Sequence, residues 1–253
     1  MTGTVLITGA SSGFGAACAK KYAEHGYKVI VGARNFAKLI EFQSTAKQPE
    51  NICVVPLDVR FTDSIQHFFQ SIPEDFKNID ILVNNAGLAL GIEPAHEVDL
   101  DDWETMVDTN IKGLMRMTRK VLPLMVERNN GHIVNIGSVA ASWPYPGSNA
   151  YGGTKAFVQQ FSRGLRSDVL GKQVRVTNIE PGLADTNFSV TRLKGDQNKA
   201  DSVYTGTQPL SAEDIADVVF WATSVPKHVN INNVEVMPTC QAWSPFSVNR
   251  EML

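Results

Sequence analysis

Residues suited to metal and disulfide chemistry are scarce: the chain has three cysteines and five histidines among 253 residues. Cys18, Cys53 and Cys240 are odd in number and far apart, which argues against a disulfide framework or a CxxC metal site. Cys18 and Cys53 read as core packing. His25, His67, His96, His132 and His228 fall in no HExxH or HxH spacing, so neither a metal site nor a Ser-His-Asp triad is expected. There is no excess of basic charge either. Lys and Arg total 23 against 26 Asp and Glu, for a net charge of -3, which leaves no basic stripe for nucleic acid. Long apolar runs are also missing. The N-terminal "TVLITGA" is too short to span a bilayer and lacks the basic region and cleavage site of a signal peptide, so the expectation is a cytoplasmic protein with no membrane partner.

What is present is a series of short, nearly continuous β-branched runs: 4–8, 28–33, 52–56, 80–84, 132–136, 174–179 and 234–237. Strands with no polar face belong to parallel sheets covered on both sides. Amphipathic segments long enough for crossover helices, such as 13–25, 101–128 and 151–170, lie between most of them. The alternation predicts an α/β fold: a single-domain Rossmann fold over 1–253, with a doubly wound parallel sheet of about seven strands. "SAED" at 211–214 fits a capping box, and Pro226 stops the helix behind it. The tail, 238–253, is rich in aromatics and turn formers without a period. It reads as a surface strap or as an arm at a subunit interface.

"TGASSGFG" follows the first strand and opens the first helix. Gly9 permits a tight turn, Gly13 lets backbone approach a pyrophosphate and Gly15 allows close helix packing, so Thr8, Gly9, Ser11, Ser12, Gly13, Phe14 and Gly15 form the expected phosphate cradle. Strand two ends in "GARN". Arg34 stands about 20 residues past the glycines, where an NAD enzyme would carry an acid. A guanidinium suits a 2′-phosphate, which favours NADP(H), with Asn35 beside it. Asp58 at the end of strand three is placed for the adenine amine, with Val59 flanking the ring. In "NNAG", Asn84 ties neighbouring strands, while Asn85, Ala86 and Gly87 leave room for the ribose.

The stretch "YGGTK" places Tyr151 and Lys155 four residues apart near a helix start, so both can face one cleft. A free phenol is a poor base at neutral pH. An ammonium roughly 4 to 5 Å away at a dielectric of about 20 would favour the phenolate by about 4 kcal/mol, or about three pKa units. Gly152 and Gly153, which weaken a helix, are expected to leave space for cofactor or substrate.

In order along the chain, "TGASSGFG", "NNAG", Asn110 in "DTNIKG", Ser138 in "NIGSVA", "YGGTK" and the "PG" at 181–182 resemble the short-chain dehydrogenase/reductase family over essentially the whole length. "DILVNNAGLALGIEPAH", "DWETMVDTN", "NIEPGL", "RLKGD" and "HVNIN" resemble its NADP-dependent 3-hydroxy acid dehydrogenases, which act on serine, allo-threonine and related acids. The resemblance implies that Tyr151 exchanges the substrate's oxygen proton and that Lys155 also grips the nicotinamide ribose. It further implies that Ser138 orients the carbonyl oxygen and that Asn110 holds a relay water. Pro181, Gly182, Leu183, Ala184 and Thr186 are expected to shape the nicotinamide end, and the resemblance implies a homotetramer. Glu180 would neutralise an arginine or attract a substrate ammonium.

The expected substrate is a small anionic hydroxy acid or aldehyde. Arg192 in "VTRLKGD" offers a fork for its carboxylate, with Ser148, Asn149 or the tail as other candidates and Trp243 and Phe246 expected near a partner's cleft. Two rivals stand beside this reading. One is a reductase of sulfoacetaldehyde or another short anionic aldehyde. The other is an NADP-binding sensor without turnover, against which the complete Tyr151, Lys155, Ser138 and Asn110 set speaks.

Overall fold

The computed structural model describes residues 3–243 and 248–250. Its sheet contains β1 (Thr4–Thr8), β2 (Lys28–Ala33), β3 (Ile52–Pro56), β4 (Ile79–Asn84), β5 (Gly131–Ile136), β6 (Val174–Pro181) and β7 (Asn233–Val236). The spatial order is β3-β2-β1-β4-β5-β6-β7, and every pairing is parallel. Alternation along β1 explains why each run is apolar throughout. Val5 and Ile7 pack with Cys18 and Tyr22 of α1 (Gly13–Glu24) and with Ile215 and Val219 of α9 (Ala212–Ser224). Leu6 points the other way, into a second core. Phe68 of α3 (Thr62–Gln70), Val121 of α5 (Leu114–Glu127) and Leu165 of α6 (Asn149–Asp168) meet it there. Full burial of such side chains is worth roughly 1.5–3 kcal/mol each, so both faces must be covered.

The remaining helices are α2 (Phe36–Thr45), α4 (Leu100–Val107), α7 (Phe188–Arg192) and α8 (Gln197–Tyr204). The segment expected as one helix over 101–128 is interrupted. A π turn at Asp108–Gly113 separates α4 from α5 and carries Asn110, in line with the frequent placement of such turns at functional sites. The capping box is formed: Ser211 and Asp214 bond reciprocally, and α9 ends at Ser224, two residues before Pro226. Cys18, Cys53 and Cys240 are all buried thiols.

The described part of the tail straps its own chain. Gln241 bridges Val248, Asn249 N donates to Cys240 O at 2.8 Å, and Arg250 Nη1 donates to the carbonyls of Val203 and Thr205. Among the described residues no helix is long and apolar enough to cross a membrane.

Candidate active site

After β1 the chain builds β2 and β3 on one side and then returns to β4 on the other. A crevice therefore opens beyond the carboxyl ends of β1 and β4, where ligands of doubly wound sheets bind. Gly9 has φ of 67°, and a Cβ there would lie 2.9 Å from Ala86 Cα. Ser12, the N-cap of α1, makes no side-chain capping bond, so the first-turn N–H groups remain available to an anion. Ser11, Ser12, Gly13 and Phe14 line the crevice with Asn85, Ala86 and Gly87.

Two members of the expected cradle serve the turn itself. Thr8 Oγ1 accepts from the main-chain N–H groups of Asn85 and Ala86 at 3.0 and 2.9 Å. A Cβ on Gly15 would collide with Asn85 Nδ2 and Gly9 O. The Asn85 amide clamps this turn, donating to Thr8 O and Gly9 O at 2.9 and 3.2 Å.

The far end of the crevice is basic. Arg34, Asn35, Lys38, Asp58, Val59 and Arg60 line it. Asp58, expected to meet the adenine amine, lines this end and accepts from Arg60, whose Nε and Nη2 donate to its two oxygens at 3.0 and 2.6 Å. Burial pushes the Asp58 carboxyl up, but the Arg60 bonds outweigh this and hold it below its ordinary range. Arg34 and Lys38 form no ion pair among the described residues. Asn35 caps α2 by accepting from Lys38 N at 3.3 Å. Lys38 was legible in hindsight, one turn beyond Arg34 at the start of α2. The free helix start, the glycine cradle and two uncommitted cations fit a dinucleotide bearing an extra phosphate.

At the opposite end, α6 begins at Asn149 and carries Tyr151 and Lys155 into the crevice, where both are buried beside Ser138. Lys155 Nζ donates to Ile136 O at 2.8 Å. The Asn110 amide is held on both sides: its Oδ1 accepts from Leu88 N at 2.9 Å, and its Nδ2 donates to Leu88 O and Thr154 Oγ1 at 2.8 and 3.0 Å. A Cβ on Gly87 would lie 3.2 Å from Asn110 Oδ1 and 3.6 Å from Lys155 Nζ, so this glycine gives direct access to the pair. Ser138 Oγ accepts from Ala140 N at 3.1 Å.

The expected ionisation of Tyr151 is reversed in this site. Burial raises its phenol well above the ordinary tyrosine value, with Tyr145 adding to the effect, while a Ser138 hydrogen bond and Arg192 only partly oppose it. Lys155 is itself pushed down to about 8 by burial. Desolvation, omitted from the simple charge-pair argument, dominates both groups.

Past β6, Pro181, Gly182, Ala184 and Thr186 line this end of the crevice. Thr186 Cβ lies 3.5 Å from where a Gly13 Cβ would stand, so the loop closes over the start of α1. Leu183 departs from expectation. It faces an adjoining cavity, and its N–H donates to Gln241 Oε1 at 2.7 Å.

That cavity shares Ser138 and Tyr151 with the crevice and is also lined by Tyr145, Phe188, Arg192, Tyr204 and Gln241. Arg192 is held by Gly91 O at 3.2 Å, Tyr145 OH at 2.8 Å and Gly147 O at 3.1 Å. These use three of its five N–H donors and leave two. Lys194, in the same motif, pairs with Asp102 at 2.8 Å. Ser148 and Asn149, the other expected substrate groups, line neither cavity. Ser148 Oγ closes a turn on Tyr145, donating to its O at 2.6 Å, and Asn149 Oδ1 accepts from Trp103 Nε1 at 3.0 Å. Phe246 lies outside the described residues.

Two further expectations are corrected. Gly152 and Gly153 line neither cavity, and a Cβ on Gly152 would stand 3.1 Å from Ala140 O, so that glycine serves the packing of α6. Glu180 is buried with no arginine bonded to it and lines neither cavity. Its carboxylate accepts from Gln159, Asn178 and Asn233 side-chain amides at 2.8, 2.8 and 2.9 Å.

A doubly wound sheet whose crevice joins an anion cradle to a buried Tyr–Lys pair defines a nucleotide-dependent oxidoreductase of the α/β class. The short chain dehydrogenase model matches residues 3–197, and the chain belongs to that family. It is 53% identical over 247 residues to the NADP-dependent 3-hydroxy acid dehydrogenase YdfG of Salmonella typhi, covering 97% of this chain and 99% of that one. It is 50% identical over 252 residues to sulfoacetaldehyde reductase 2 of Chromohalobacter salexigens, covering 99% and 100%. Among solved structures, the closed form of serine dehydrogenase complexed with NADP+ aligns with a TM-score of 0.93 at 52% identity, over 95% of this chain and 97% of that one.

Proposed function

We propose that the protein is an NADP-dependent oxidoreductase that interconverts a small 3-hydroxy acid, of the serine, allo-threonine or 3-hydroxypropionate type, with its 3-oxo acid or semialdehyde. The observation that carries this reading is that Tyr151 and Arg192 line one cavity, so the reacting oxygen and the acid group of one small substrate can be held together. The relatives' names support the same chemistry.

When bound, NADP(H) supplies or accepts the hydride. Arg34 and Lys38 hold its 2′-phosphate, the start of α1 its pyrophosphate, and Lys155 its nicotinamide ribose. Ser138 orients the substrate oxygen, and Tyr151 gives that oxygen a proton in reduction or takes it in oxidation. A phenol raised by burial stays protonated at neutral pH and so is ready to act as the acid for reduction. The Asn110 Nδ2 donors are taken by Leu88 and Thr154, so a relay water beside Lys155 would meet Asn110 at an acceptor oxygen.

A guanidinium accepts a sulfonate as readily as a carboxylate, so sulfoacetaldehyde reduction is the second reading. The protein is assigned to the cytoplasm and to a homotetramer, with the tail, 238–253, at a subunit interface. Initial rates with serine, allo-threonine, 3-hydroxypropionate and isethionate, each with NADP and NAD, test the proposal. Turnover of the carboxylic acids with NADP supports it. Preference for isethionate selects the second reading, and no turnover of any anion overturns both.

A further inference from the structure

We infer that Tyr204, the last residue of α8, is a positioning residue for the nicotinamide end of the cofactor, its hydroxyl fixing the turn from Ala184 to Thr186 against which that end of NADP(H) lies. This rests on the cofactor orientation proposed above, with the 2′-phosphate at Arg34 and the nicotinamide beside Tyr151. Ala184 and Thr186 line that end of the crevice, and Thr186 stands over Gly13 at the start of α1. Their turn is supported from two sides. On one, Leu210 N donates to Leu183 O at 3.0 Å and Asp185 N donates to Leu210 O at 2.8 Å. On the other, the Tyr204 hydroxyl donates to Ala184 O at 2.9 Å.

The direction of these bonds follows from the donors present. A phenol has one proton, and a carbonyl cannot donate, so that proton goes to Ala184 O. The Ser189 hydroxyl of α7 is then the donor in its 2.5 Å contact with the Tyr204 oxygen. Burial raises the Tyr204 phenol above its ordinary value against the pull of the Ser189 bond, so the proton that Ala184 accepts is retained. The residue is also held from behind. Tyr204 O accepts from Thr207 N and Oγ1 at 3.0 and 2.7 Å, and Arg250 of the tail donates to the carbonyls of Val203 and Thr205 on either side. One half-buried hydroxyl thus joins α7, α8 and the turn after β6. Its loss leaves the Ala184 carbonyl without that donor and frees the turn to shift, and a displacement of about 1 Å at a reacting centre is enough to slow the chemistry.

Tyr204→Phe keeps the ring and removes the hydroxyl. The Kd of NADPH is measured by fluorescence, and that of adenosine 2′,5′-bisphosphate, which carries the 2′-phosphate but no nicotinamide, by displacement of NADPH. The NADPH Kd is expected to rise by about fivefold, while the bisphosphate Kd stays within about twofold of the parent. Ser189→Ala, which breaks the α7 contact and leaves the Ala184 bond, should keep the NADPH Kd within about twofold. A role confined to packing α7 on α8 predicts otherwise. If Tyr204→Phe weakens both ligands equally or neither, or if Ser189→Ala loses as much NADPH affinity as Tyr204→Phe, the inference falls while the functional proposal stands. These binding measurements need no substrate, so they hold whichever anion is turned over. If the bisphosphate does not displace NADPH from the parent, the proposed cofactor orientation fails and takes the inference with it.

Discussion

Lys155 Nζ lies 5.7 Å from the centre of the Tyr151 ring, and its hydrogen bond goes to Ile136 O rather than to the phenol. The pair is therefore a through-space relationship between two buried groups. Each disfavours ionisation for the same reason, loss of water. For Tyr151 this favours the protonated acid. As an acid it works below its pKa and as a base above it, so reduction should hold its rate through neutral pH while oxidation climbs as pH rises. Paired pH–rate profiles check this. An oxidation rate that falls from pH 7 upward would contradict it.

Burial of Lys155 also costs stability. Its folded pKa of about 8 lies below the unfolded value of 10.5, so the unfolded chain binds more protons between those limits. Stability from this group is lowest below pH 8, recovers as pH rises toward 10.5, and is penalised by up to about 3 kcal/mol at neutral pH. Lys155→Met should then melt higher than the parent at pH 7, with the gain shrinking above pH 8, while turnover collapses. Thermal melts across that range check the sign.

Arg34 is exposed at the basic end of the crevice, with Lys38 beside it. Arg34→Ala is expected to weaken NADPH binding by about 1.5 to 3 kcal/mol and NADH binding much less, the smaller figure applying if Lys38 takes over part of the phosphate. Equal losses for the two cofactors in a fluorescence titration would remove Arg34 from 2′-phosphate recognition.

For Arg192→Ala the expected result is a KM for serine or 3-hydroxypropionate raised by an amount worth about 1.5 to 3 kcal/mol, relative to that for a neutral aldehyde. Because Arg192 also ties Gly91 to the Tyr145–Gly147 turn, the melting temperature should be measured alongside. A uniform loss across charged and neutral substrates would place Arg192 in folding.

Removal of everything after Pro238 takes away Gln241, the Cys240 contact with Gln208 O and the Arg250 ties to the end of α8. The truncated chain should show raised KM or a smaller assembly by light scattering. Unchanged assembly and kinetics would reduce the tail to a strap.

Much of this was legible in the sequence, for physical reasons. Parallel strands with two covered faces have no polar side, so all seven appear as apolar runs, and observed boundaries fall within two residues of the expected ones. Glycines forced by backbone approach, such as Gly9, also announce themselves. What escaped depends on contacts between distant segments. The commitment of Asp58 to Arg60, the amide shell of Glu180 and the use of Ser148 by Tyr145 follow from packing that no local pattern encodes. Gln241 was missed because an aperiodic tail gives no register from which to place a side chain. The ionisation of Tyr151 was misjudged because residue spacing reports the nearby charge and not the missing water.

The central claim is that Tyr151 moves the substrate proton in a crevice that binds NADP independently of it. The most direct test is kcat for 3-hydroxypropionate oxidation and NADPH Kd measured in parallel on the parent and on Tyr151→Phe. The account predicts that turnover is abolished while Kd stays within about tenfold, because the change removes one transferable proton and little packing. Near-normal turnover in the Phe variant would contradict it.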